Sequence, residues 1–186
     1  MKIGIISDVH DNLRTLSLVL KKLKDEEKVD MLINCGDWDM PFTMRTYVGF
    51  DKPIRGVLGN GDPDIQKFEY QLQNLEMLKG IDMQINFRFF DLSYDGKRIA
   101  VFHGDDDSLN KVLIESQLFD VLCVGHNHIP LLTKQGKTMI INSGSLVGFL
   151  AEKGNVPITY AIYDTISGLA EIKDFEKNSV LFSSMS

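Results

Sequence analysis

Three glycine-containing dipeptides limit what this chain can fold into more than any other feature. Asp95-Gly96, Gln135-Gly136 and Ser167-Gly168 each separate two runs rich in apolar and β-branched residues. Glycine reaches the positive φ that tight hairpins need, so each pair predicts two antiparallel strands. The strands so predicted are 87–94 with 97–102, 131–133 with 138–141, and 159–164 with 169–174. A purely parallel sheet is thereby excluded. The first half reads differently: residues 2–6, 31–34 and 54–58 are short apolar runs that suit buried strands. Leu13, Leu16, Leu20 and Leu23 recur between them at helical spacing, and Ile65, Phe68, Leu72 and Leu75 do so after Pro63. A strand at 121–124 follows a short helix around Leu109, Val112 and Leu113, opened by Asp107 or Ser108. A βαβ half followed by an antiparallel half predicts an α/β (α+β) architecture, a sandwich of two mixed β-sheets flanked by helices.

A chain of 186 residues is long enough for one domain with a real core. That domain is expected over residues 1–175, with a Ser-rich, loose tail at 176–186. The unbroken apolar runs are too short for a bilayer, and the N-terminus reads as a first strand, too short for a secretory signal. Cys35 and Cys123 lie in apolar runs and read as buried thiols. Two cysteines make no disulfide framework, which points to the cytoplasm. The 26 acidic and 20 basic residues leave a net charge of −6. That charge argues against gripping a long nucleic acid. It is compatible with a small phosphorylated substrate, because bound metal supplies positive charge.

The reactive residue types collect at strand ends. Asp8-Val9-His10 follows the first strand, Gly36-Asp37 the second and Gly59-Asn60-Gly61-Asp62 the third. His103-Gly104, Gly125-His126-Asn127-His128 and Asn142-Ser143-Gly144-Ser145 follow later ones. Open α/β sheets bind ligands at such carboxyl ends. Residues two apart in extended chain point the same way, so Asp8 with His10, and His126 with His128, are expected to converge. Singly, each motif reads more readily as a turn. Jointly they do not, because all four histidines of the chain fall within these clusters. Imidazole, carboxylate and amide oxygen together suit manganese, iron, zinc or nickel.

The ordered set resembles the calcineurin-like metallophosphoesterase family, whose pattern runs D-x-H, G-D, G-N, H and G-H-x-H. Every ligand position of that pattern is filled, and the short chain is similar to the single-domain phosphodiesterase branch. The resemblance implies a two-sheet sandwich and two divalent ions, manganese favoured over nickel, iron or zinc. It implies Asp8, His10 and His128 around the first ion, Asn60, His103 and His126 around the second, and Asp37 between them. Asp37, Asn60 and His103 are also the residues it implies for catalysis, with a hydroxide between ions ~3.5–4 Å apart attacking phosphorus in line. A small phosphodiester is the expected substrate, and a phosphomonoester the alternative on the same centre. A non-catalytic scaffold like the retromer subunit of this fold is a third reading, opposed by the intact ligand set.

Three positions depart from the family pattern. Gly61 stands where many members carry histidine, Asp105 where a second histidine often follows His103-Gly104, and Ser143 where proline is usual. Trp38, Phe42, Tyr47 and Phe50 suit either the wall of a substrate cleft or the core. Phe87, Phe89 and Phe90 suit either a contact in a homo-oligomer or two faces of one strand. Asp105, Asp106 and Asp107 read as a solvated loop and helix cap.

Overall fold

The computed structural model describes residues 1–74, 79–150 and 154–184. Its first half runs β1 (Lys2–Ile6), α1 (Leu13–Asp25), β2 (Met31–Asn34), a 3-10 helix (Pro41–Tyr47), β3 (Ile54–Val57), α2 (Ile65–Asn74) and β4 (Met83–Asn86). The middle runs β5 (Phe89–Tyr94), β6 (Lys97–Phe102), α3 (Asp107–Glu115), β7 (Val121–Val124), β8 (Leu131–Gln135) and β9 (Thr138–Asn142). A two-stranded ribbon, β10 (Phe149–Leu150) and β11 (Gly154–Asn155), precedes β12 (Thr159–Asp164), β13 (Ala170–Asp174) and β14 (Ser179–Ser183).

These strands make two mixed sheets. One has the order β14-β13-β12-β1-β2-β3-β4 and the other β5-β6-β7-β9-β8. The two-residue period of the pleat divides each strand between layers. Ile3 and Ile5 of β1 join Ile99, Val101, Cys123 and Ile141 in the core between the sheets. Ile6 and Leu32 face the other way, against Leu16, Val19, Leu20 and Leu23 of α1. Ala100, Phe102, Leu122 and Ile140 similarly face Leu113 of α3. The result is helix, sheet, sheet, helix, as the hairpins and helical spacings predict.

Several local expectations need correction. The predicted strand 87–94 starts at Phe89, because residues 83–86 form the separate strand β4, parallel to β3 in the other sheet. Phe87 and Arg88 carry the chain from one sheet to the next. The turn at Asp95-Gly96 has both residues at positive φ, as a tight hairpin requires. In the second hairpin Gln135 still pairs with Thr138, so the turn residues are Gly136 and Lys137. α3 is capped by Asp106, one residue earlier than expected; its carboxylate accepts the Leu109 N–H at 3.0 Å. The segment expected to be a loose tail supplies β14, where Val180 and Phe182 align with Lys173 and Ile172 of β13. Leu75 of the predicted helical spacing lies outside the described residues.

One part-buried ion-pair cluster ties the α1–β2 turn to the sheet. Glu27 accepts hydrogen bonds from Tyr160 Oη at 2.8 Å and from Lys173 Nζ at 2.9 Å, and Lys2 Nζ lies 3.9 Å away. Burial alone would raise the Glu27 carboxyl, but Lys173 and Tyr160 hold it below its ordinary value. A carboxyl depressed in the folded state contributes stability above its unfolded pKa and loses it as pH falls. Glu27→Gln should therefore destabilise the protein by about 2 kcal/mol near neutrality, the scale of a charge-assisted hydrogen bond. The deficit should shrink as pH falls through and below the ordinary carboxylate range. Denaturant unfolding of both proteins across pH measures it.

Candidate metal centre

The loops that leave β1, β2, β3, β6, β7 and β9 meet at one end of the sandwich. Asp8, Asp37 and His103 are buried there, His10 and His128 are partly covered, and Asn60 and His126 face solvent. Asp8 Oδ1 lies 3.3 Å from His128 Nε2 and 3.9 Å from His10 Nε2. Asp37 Oδ2 lies 3.6 Å from His10 Nε2, while its Oδ1 lies 3.4 Å from His103 Nε2. Asn60 Oδ1 lies 3.2 Å from His103 Nε2 and 2.8 Å from His126 Nδ1. All seven residues singled out in the sequence are thus neighbours. They fall into two sets, with the Asp37 carboxylate turned toward both.

The residues converge, but not by the pleat that the sequence reading invoked. Asp8, His10, Asp37, His126 and His128 all have positive φ, between 44° and 73°. The backbone winds through the left-handed region at each, a conformation that Asp and His tolerate better than most residues and that collects at functional sites. Close approach demands glycine beside them. A Cβ on Gly59 would overlap the Asp37 carboxylate and stand 2.7 Å from His103 Nε2.

The polar atoms here suit cations. Asp8 Oδ1 is fully buried and accepts no hydrogen bond among the described residues. A carboxylate in that position is costly unless it is paired or coordinates metal. His10 Nε2 and His128 Nε2 face each other at 3.0 Å. Donors 3.0–3.9 Å apart have the spacing of ligands about 2 Å from a shared ion. Asp8, His10 and His128 offer one atom each within 4.8 Å of one another, and so do Asp8, Asp37 and His103. The donor set therefore fits divalent ions.

Further residues support the seven: Asp62, Asn142 and Ser145 stand in the strand-end clusters of the sequence without a role assigned there, and Asp39 was not singled out. Asp39 Oδ1 stands 3.1 Å from His10 Nδ1, and the Cys35 carbonyl accepts from His103 Nδ1 at 2.8 Å. Such partners leave Nε2 as the free donor atom. The Asp62 carboxylate accepts the N–H groups of Asp37, Asp39 and Gly59 at 3.0, 2.7 and 2.7 Å, joining two loops, and burial pushes its pKa up to about 7. Asn142 Nδ2 donates to the Gly125 carbonyl at 2.8 Å, and Ser145 Oγ to the Asp8 carbonyl at 3.1 Å. The visible signals were Asp-Trp-Asp for Asp39 and Gly-Asn-Gly-Asp for Asp62, both ordinary turn compositions.

Of the aromatics, Trp38, Tyr47 and Phe50 are core residues. Phe42 is exposed, and Trp38 Nε1 is spent on the Val57 carbonyl at 2.8 Å. Phe89 and Phe90 occupy opposite faces of β5, and Phe87 is exposed. Asp105 pairs with Arg88 at 2.6 Å, so the aspartate run is a loop and cap as expected.

Comparison with known proteins agrees with this geometry. A family model described as the calcineurin-like phosphoesterase superfamily domain matches residues 1–168. A phosphodiesterase of Methanocaldococcus jannaschii is 30% identical over 165 residues, covering 89% of this chain and 93% of that protein. A solved archaeal phosphodiesterase superposes with a TM-score of 0.81 at 27% identity, covering 97% of this chain and 100% of that one. Vacuolar Protein Sorting 29 of Cryptosporidium parvum shares the fold, with a TM-score of 0.67 at 15% identity over 100% and 96% of the two chains.

Protonation should compete with metal. Burial would lower the His103 pKa, but Asp37 and Asp8 outweigh it and raise it; Asp8 raises His128 in the same way. Raised imidazole pKa values mean that more protons must leave when an ion enters. Metal affinity should therefore fall as pH drops through and above the ordinary histidine range. Binding calorimetry in buffers of different ionisation enthalpy should show proton release. Chelation should also lower the melting temperature, because about 4 kcal/mol of stability is lost where free metal stood a thousandfold above its dissociation constant. An unchanged melting curve after verified metal removal would refute the site.

Proposed function

This chain belongs to the calcineurin-like phosphoesterase superfamily, and we propose that it hydrolyses small phosphodiesters at two divalent ions held by Asp8, His10, Asp37, Asn60, His103, His126 and His128. Its character as a metal-dependent phosphodiesterase rests on the family match and on the 30%-identical phosphodiesterase. The assignment of ligands rests above all on Asp37, whose two oxygens face His10 and His103 at 3.6 and 3.4 Å. When bound, such ions polarise phosphoryl oxygens and activate water. Asp37 supplies one negative charge common to both donor sets. Asp8 supplies the other, and Asn60 adds a neutral oxygen. Asp62 holds the loops of Asp37 and Gly59 in register, and Asp39 orients His10.

Manganese is the favoured ion in this reading, with nickel, iron or zinc compatible with the same donors. A single domain, with β14 joined to its larger sheet, and a cytoplasmic location belong to the same proposal, the latter supported by two cysteines that are both free and buried. The net charge of −6 supports small substrates over long nucleic acid. Among the described residues no helix is long and apolar enough to cross a membrane. The scaffold reading draws on the shared fold of the sorting protein, but it gives no role to a complete donor set.

Turnover of diesters and monoesters by chelator-stripped protein, with each metal restored in turn, tests the activity. Asp37→Asn should lose about 10²-fold or more in turnover, the scale of a removed charge stabiliser. Asn60→Asp, which keeps an oxygen donor, should lose less. Equal metal content and turnover in Asp37→Asn would refute its place between the ions.

All four histidines stand in the donor set, and position 61, a glycine, adds no further imidazole to act as an acid. General acids contribute about 10²–10⁴-fold, mostly for poor leaving groups. Activated aryl diesters should therefore turn over well and alkyl diesters slowly, the rate falling as leaving-group pKa rises. A Cβ at position 61 would lie 3.0 Å from Asp39 Oδ1 and 3.2 Å from Asp37 Oδ1, so Gly61→His requires both carboxylates to give by a few tenths of an ångström, and metal content is measured alongside its turnover. This variant should flatten the slope. A wild-type rate independent of leaving group, with chemistry rate-limiting, would reveal an acid among the remaining residues.

A further inference from the structure

The core between the sheets is apolar along most of its length, and the same pleat positions change character at the end remote from the metal centre. In β6 the face carrying Ile99 and Val101 continues to Lys97; in β8 the face carrying Leu132 continues to Lys134. Lys134 pairs across the strands with Met139. Opposite them, β12 presents Tyr163, which is 2% exposed. The sheets enclose a cleft of about 460 Å³ there, lined by Lys97, Lys134, Lys137, Leu132, Met139 and Tyr163 among others. A volume of this size suits a small organic ligand.

The cationic groups of the cleft lack acidic partners, whereas Ser184 is hydrogen-bonded to Ala170. Lys97, Lys134 and Lys137 form no salt bridge among the described residues. The acid in the lining, Asp120, accepts the Arg98 N–H at 2.9 Å. The Tyr163 side chain, almost wholly covered, adds an aromatic face to the wall. Three ammonium groups against one carboxylate make a local positive patch on a chain whose net charge is −6. Lysines of one sign beside an apolar wall give the cleft a charge complementary to a small anion with an apolar body.

We propose that this inter-sheet cleft binds a small amphipathic organic anion, its charged group among Lys97, Lys134 and Lys137 and its apolar body against Leu132, Met139 and Tyr163. The site is separate from the metal centre. The two lie at opposite ends of the same strands: β6 begins at Lys97 and leads to His103, and β9 leads past Met139 to Asn142.

The test uses metal-loaded protein and the fluorescent anion 1-anilinonaphthalene-8-sulfonate, with uncharged N-phenyl-1-naphthylamine as the control probe. Saturable binding of the sulfonate is expected. In Lys97→Met/Lys134→Met its Kd should rise about tenfold or more, while that of the neutral probe stays within about twofold. Phosphodiester turnover should be unchanged, since neither lysine touches the metal centre. In wild-type protein with labelled methionine methyls, the sulfonate should shift Met139 and leave Met40, beside the Asp37 loop, in place. That measurement stands if the double variant does not fold. Inward lysines near a sheet edge also deter edge-to-edge pairing. If that is their whole role, the sulfonate will bind unsaturably or with equal affinity to both proteins, and the proposal fails. It fails equally if Met40 moves and Met139 does not.

Discussion

Two buried carboxylates need positive charge, and the remainder of the structure is arranged around that need. Asp8 and Asp37 lie at the end of adjacent strands, and among the described residues their ion-pair partners are all histidines. No lysine or arginine of the described chain neutralises them. Imidazoles that are needed as ligands cannot also stay protonated, so in a working site the compensation must come from bound cations. The positive φ angles, the bare Asp8 Oδ1 and the glycine at position 59 all follow from crowding these groups close together.

The fold makes the crowding possible by running its site-bearing strands in parallel within each sheet. β1, β2 and β3 are mutually parallel in one sheet, as are β6, β7 and β9 in the other. Their carboxyl ends therefore emerge at one edge of the sandwich. Antiparallel strands are placed at the flanks, where they enlarge the core without adding loops to the site. The hydrogen bonds from Asp62 and Asn142 then lash neighbouring loops together, so the donors are held before any ion arrives.

Much of this was legible in the residues. Hairpins announced by Asp95-Gly96 and its counterparts define the second half, and the four histidines identify three of the site's loops, those after β1, β6 and β7. The reasoning for convergence was nonetheless wrong in detail, since Asp8 and His10 turn toward each other through left-handed backbone, which spacing alone does not reveal. β4 was missed because a four-residue edge strand, Met-Gln-Ile-Asn, alternates too briefly to stand out. β14 was missed because serines surround its Val180, Leu181 and Phe182, and its stability comes from pairing with β13 and not from burial. Asp39 and Asp62 act through contacts with residues already in the site, and such contacts leave no mark on composition or period.

The corner at Phe87 and Arg88 has a consequence for how the molecule comes into being. It divides the chain so that Asp8, Asp37 and Asn60 belong to one sheet, while His103, His126 and His128 belong to the other. No segment shorter than the stretch from 8 to 128 contains the whole donor set, so a growing polypeptide leaving the ribosome holds only a half-site until its second sheet is made. β1 then still awaits its antiparallel neighbour β12, which is synthesised later. Assembly thus depends on contacts far apart along the chain, whose closure is slow. An ion bound at the proposed centre would then act as a rivet between the two sheets, fastening together parts of the molecule that were made at different times.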